Sequence, residues 1–77
     1  MAAKQGHPNA QFVLGQFYKT GCGVDKDVDR AVDWLVSAAM NGEKGAQLLL
    51  GNMYSSGDGV YADKYEADRW YDMADSR

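Results

Sequence analysis

Apolar residues recur along this chain at helical spacing, in blocks separated by glycine-bearing breaks. Ala10, Val13, Leu14, Phe17 and Tyr18 line one stripe of a 3.6-residue period, which predicts a helix over about 10–19. Pro8 suits the first turn of that helix, where its missing N–H has no intrahelical partner to lose. A second stripe, Ala31, Trp34, Leu35 and Ala38, predicts a helix over about 28–41. The same two patterns then recur, predicting helices over about 44–56 and from Asp63 towards Arg77. Strict apolar–polar alternation is absent, and no strand is predicted.

The breaks have their own chemistry. Thr20 to Lys26 reads as a loop, in which Gly21 and Gly23 supply the positive φ that stops one helix and turns the chain back. Val24 is expected to tuck inward. Asp27 is placed to cap the next helix, and Asp29 puts negative charge in its first turn. Asp63 and Glu66 have the spacing of a capping box, with Asp in place of Ser or Thr. Gly42 ends the second helix. Gly15 sits inside a helix, where it costs about 1 kcal/mol relative to Ala. Its return as Gly51 predicts that a second helix approaches the backbone closely there.

The repetition has a fixed interval. Leu14-Gly15, Tyr18, Gly21, Gly23-Val24, Asp27, Ala31, Trp34 and Ala38 return as Leu50-Gly51, Tyr54, Gly57, Gly59-Val60, Asp63, Ala67, Trp70 and Ala74. For the tryptophans the interval is 70 − 34 = 36 residues, within the range of helical repeats. Ala2-Ala3 and Gly6 match Ala38-Ala39 and Gly42. Residues 1–6 therefore read as the end of a preceding second helix, 7–42 as one full repeat, and 43–77 as a second repeat cut short at its end. Met1 to Gln5 are expected to form a last helical turn stopped by Gly6. The chain reads as part of a longer array.

The spacing A-x-x-x-L-G-x-x-Y-x-x-G-x-G-V-x-x-D-x-x-x-A-x-x-W-x-x-x-A-A-x-x-G resembles the Sel-one-like repeat (SLR), a relative of the tetratricopeptide repeat. The likeness extends over nearly the whole chain. It implies an all-α fold, a right-handed superhelix of antiparallel helix pairs, and an adaptor or scaffold role. In related repeats the first helix of each pair lines a concave groove and the second covers the convex side. Positions off the packed stripe of the first helix, Asn9, Phe12, Gln16 and Lys19, align with that groove. One period later the counterparts are Gly45, Leu48, Asn52 and Ser55. Two readings of Phe12 and Leu48 stand open: groove contacts for a partner, or packing against neighbouring helices.

Composition narrows the chemistry. With 45% hydrophobic and 25% charged residues the chain is apolar enough to fold. The net charge of −3 argues against nucleic acid as a partner, because phosphate binding needs clustered Lys and Arg. No apolar run approaches the length of a membrane span, so no membrane insertion is expected. One His and one Cys among the 77 residues cannot build a nucleophile–base pair or a metal cluster; no catalysis and no cofactor is expected. Asp25, Asp27 and Asp29 begin like a calcium loop, but Arg30 stands where Gly is required and Val36 where the bidentate Glu belongs. Trp34 and Trp70 read as buried helix positions, and Tyr18 and Tyr54 as core residues with a hydroxyl reaching a polar group. The partner is expected to be a protein or peptide. A structural spacer or oligomerisation unit without a peptide ligand is the alternative. Asp75 replaces Ala39 and no capping helix is evident, so self-association through two uncapped end faces is expected as well.

Overall fold

The computed structural model describes residues 8–75, and every regular element among them is an α-helix: α1 Pro8–Thr20, α2 Val28–Met40, α3 Lys44–Ser56 and α4 Lys64–Asp75. α1 packs on α2, α3 packs on α4, and the two pairs meet through α2 and α3. This is an all-α helical repeat solenoid. Asn41, expected as the last residue of the second helix, is its C-cap instead. The turn expected over Met1–Gln5, the stop at Gly6, and His7 lie outside the described residues.

Both turns within the helix pairs close in the same way. Gly21 and Gly57 adopt φ of 78° and 76°, and their N–H groups donate to Phe17 O at 2.7 Å and Met53 O at 2.8 Å. The loop exits are tied to the helix they leave: the Asp27 N–H donates to Tyr18 O and the Asp63 N–H to Tyr54 O, each at 2.9 Å. The aspartate side chains then cap the following helix, accepting from the Arg30 N–H at 3.2 Å and the Glu66 N–H at 3.1 Å. The capping box expected at Asp63 and Glu66 therefore forms only in half. The Asp63 N–H is already taken by Tyr54 O, and the Glu66 carboxylate accepts from Arg69 at 3.2 Å.

Leu35, Ala38, Ala39, Ala46, Leu50, Met53 and Trp70 form one core where α2, α3 and α4 converge. Phe12, Val32 and Val36 pack onto it from the first pair, and Leu49, Tyr54, Val60 and Met73 from the second. Small residues let the helices close: a Cβ on Gly15 would stand 2.8 Å from Leu35 Cγ and 3.2 Å from the Ala31 carbonyl oxygen. The buried Gln47 amide donates to Ala39 O at 2.9 Å, joining α3 to the last turn of α2.

Equivalent positions of the two repeats differ in burial, and two expectations are corrected by that difference. Phe17 is 40% exposed, whereas Met53 one period later is 1% exposed. Ala10, Leu14 and Trp34 are half-buried, whereas Ala46, Leu50 and Trp70 are buried. Trp34 is thus not the closed core residue expected. Trp70 lies in one core with Leu35, Ala38 and Ala39 of α2, and no described residue plays that part for Trp34. At the opposite side, Val28, Val32, Val36 and Ala39 face the second repeat, and their counterparts are Lys64, Asp68, Asp72 and Asp75, all exposed. The expectation of uncapped faces at both ends fails there, because charge occupies four positions of the stacking stripe.

Candidate functional site

The residues aligned with the groove lie along the outer row of α1 and α3. Asn9, Gln16, Asn52 and Ser55 are exposed, and Leu48 is 41% exposed. The period of 3.6 carries Asn9 and Gln16 along one side of α1, turned away from Gly15, which packs on Leu35 and Ala31 of α2. Asn52 is fixed in orientation: its Oδ1 accepts from the Tyr71 hydroxyl. Tyr71 reaches it by lying across the backbone of Gly51, where a Cβ would come within 2.6 Å of the ring.

Lys19 and Phe12 have structural work of their own. Lys19 Nζ lies 3.0 Å from Asp58 Oδ2, so it joins the end of α1 to the turn of the next repeat. With Asp58 well exposed, such a pair contributes under about 1 kcal/mol, and its effect is mainly to orient the two groups. The Phe12 ring is half-buried over Gly45, where a Cβ would stand 2.9 Å from Phe12 Cε2. Between the two readings of Phe12, this contact is packing between repeats. Leu48 holds the same register on α3 and is 41% exposed.

Two exposed tyrosines escaped the sequence reading. Tyr61 is 97% exposed and Tyr65 is 73% exposed. Tyr61 borders a hollow that is also lined by Asp29, Tyr54, Gly57, Val60 and Asp63. The available signal was a break in the repetition: the counterparts of Tyr61 and Tyr65 are Asp25 and Asp29. Exposed tyrosines are favoured at protein interfaces because they offer large area with a polar tip.

The remaining candidates resolve into local roles. Asp27 caps α2, and no group of three or more His, Cys, Asp or Glu among the described residues is placed to hold a metal ion. Arg30 lies over the half-buried Tyr18 ring, 5.9 Å from its centroid, a cation–π contact. Cys22 is exposed and free. No helix among the described residues is long and apolar enough to cross a membrane.

Comparison with known proteins places this geometry in a family. The Sel1 repeat model matches residues 8–43 and 45–74. A Sel1 repeat protein from Oxalobacter formigenes superposes with a TM-score of 0.87 at 37% identity, over 95% of this chain and 56% of that one. The protein c5321, a protective antigen of uropathogenic Escherichia coli strains with an SLR fold, also gives 0.87, at 45% identity over 95% of this chain and 16% of its own. The chitin synthase regulator SKT5 of Saccharomyces cerevisiae is 48% identical over 40 residues, which is 52% of this chain and 6% of SKT5. The chain therefore spans only part of the length of each. Sel1 repeats are generally protein-interaction modules. With both helix pairs matched by the repeat model, the chain belongs to the Sel1 repeat family.

Proposed function

We propose that this chain is a scaffold module that holds a peptide or protein partner along the groove row of α1 and α3. The supporting observation is the pairing of Gln16 with Asn52: both are exposed amides at equivalent positions of successive helices. An amide side chain both donates and accepts, so a row of them suits the backbone of an extended segment. Asn9 and Ser55 extend the row in opposite directions, and Lys19 and Leu48 flank it with a charge and an apolar contact. The net charge of −3 disfavours nucleic acid in this role.

The test is selection of binders from a random peptide library on the immobilised chain. The selected peptide is then titrated against Gln16→Ala and Asn52→Ala, with helicity followed by circular dichroism. The expected result is a Kd raised about tenfold by each substitution with helicity unchanged. A selected peptide indifferent to both substitutions, or no binder at all, defeats the groove reading. The second reading, a spacer without a peptide ligand, then takes its place. It is favoured by Phe12, the largest apolar side chain of the row, which is engaged in packing between repeats.

A further inference from the structure

We propose that this chain stacks in one direction only: its N-terminal face receives a preceding Sel1 helix pair, and its C-terminal face refuses one. The internal repeat supplies the template. Where the first pair meets the second, α2 presents Val28, Val32, Val36 and Ala39, which fall on one stripe of the helix. Val28 Cγ1 lies where a Cβ on Gly59 would come within 2.8 Å. Val32 and Val36 pack on the core that holds Trp70, and Ala39 is 1% exposed within it. The receiving surface on the second pair is Ala46, Leu50, Met53 and Trp70, all buried.

The same receiving surface exists one period earlier, without such a cover among the described residues. It consists of Ala10, Leu14, Phe17 and Trp34, of which Phe17 is 40% exposed and the others are half-buried. Val13, at 37% exposed, widens it. The occupant that fits is a helix pair whose second helix carries apolar residues at the four positions of the α2 stripe. The sequence ahead of α1 repeats the end of such a helix, with Ala2, Ala3 and Gly6 standing where Ala38, Ala39 and Gly42 stand. We therefore assign the occupant to a preceding repeat of the same array.

A second copy of this chain cannot serve as that occupant. The stripe its α4 would offer is Lys64, Asp68, Asp72 and Asp75. Stacking it on Trp34 and Phe17 would bury one ammonium and three carboxylates against an apolar surface, each losing its hydration without a matched partner. The acidic stripe thus blocks head-to-tail growth between copies while the N-terminal face stays apolar. Leu48 keeps the C-terminal face apolar on the α3 side, but the α4 side decides, because it is the helix that would cover the incoming tryptophan.

Two extensions of the 77-residue chain test this. One inserts a second copy of residues 7–42 between Gly6 and His7; the other appends a copy of residues 6–42 after Arg77. Stability in a stacked array is a sum of repeat and neighbour terms. The N-terminal insertion, made with Trp34→Phe in the inserted copy, is expected to raise the melting temperature by about 8 °C or more and to shield the original Trp34 from acrylamide. The C-terminal addition is expected to leave the melting temperature unchanged, and Lys64→Val, Asp68→Val, Asp72→Val and Asp75→Ala together are expected to restore the rise. Equal stabilisation by both extensions, or none from the N-terminal one, overturns the proposal. If the fourfold variant fails to fold, sedimentation of the unaltered chain decides independently. A monomer at all concentrations supports the block, and concentration-dependent assembly that shields Trp34 overturns it.

Discussion

The side chain of Leu35 lies directly on the backbone of Gly15, with room for a hydrogen and no room for a methyl group. A Cβ at Gly15 would stand 2.8 Å from Leu35 Cγ and 2.9 Å from Leu35 Cδ2, and Leu35 itself has no exposure through which to retreat. The Ala31 carbonyl oxygen, 3.2 Å from the same point, belongs to a helix backbone and yields even less. Gly15→Ala sets a helix-propensity gain of about 1 kcal/mol against an overpacking cost of about 1–3 kcal/mol. The expected outcome is net destabilisation, read as a lower urea midpoint. A raised midpoint would show that α1 and α2 do not approach this closely.

Gln47 is buried and carries a hydrogen bond that no other described side chain is shown to replace. Its amide donates to Ala39 O at 2.9 Å, in the last turn of α2. Gln47→Ala removes the bond that ties α3 to α2, leaves Ala39 O with the Gly42 N–H alone at 3.1 Å, and opens space in the core. The expected cost is about 1–3 kcal/mol, measured by chemical denaturation. Gln16→Ala, on the exposed row, is expected to stay within about 0.5 kcal/mol of the unaltered chain.

The half-formed capping box separates two neighbouring acidic residues. Asp63→Ala removes the acceptor of the Glu66 N–H and is expected to cost about 1 kcal/mol. Glu66→Ala breaks only an exposed pair with Arg69 and is expected to cost under about 0.5 kcal/mol. Equal losses in thermal melts of the two variants would mean that Glu66 does turn back to the Asp63 backbone.

The two tryptophans give a spectroscopic check on the stacking geometry. Trp70 is 8% exposed in the core, whereas Trp34 is half-buried beside Arg30, Asp33 and Ser37. Trp34→Phe is expected to leave a blue-shifted emission that acrylamide quenches weakly. Trp70→Phe is expected to leave a redder emission that is quenched readily. Identical quenching of the two variants would contradict the difference in cover.

Much of the fold was legible because its causes are local. The stripes of α1 and α2 follow from a 3.6-residue period that the chain itself carries. The stops at Gly21, Gly42 and Gly57 follow from a backbone angle that side chains resist. Asp27 and Asp63 cap because their short carboxylates reach the N–H groups of the next turn. The exposure of Asn9, Gln16, Asn52 and Ser55 followed from their places off the apolar stripe, but the use made of Phe12 and Lys19 was not legible. Phe12 is drawn onto Gly45, and Lys19 onto Asp58, by partners far along the chain.

By itself, the amino-acid order determined four helices, their turns and a 36-residue repeat, since helix periodicity, capping and glycine angles act over a few neighbouring residues. Only the tertiary structure decided which copy of a repeated residue is covered. Burial depends on what stands beside a position, and two identical tryptophans 36 residues apart have different neighbours. The half capping box has the same origin: the Tyr54 carbonyl reaches the Asp63 N–H only when the turn has closed.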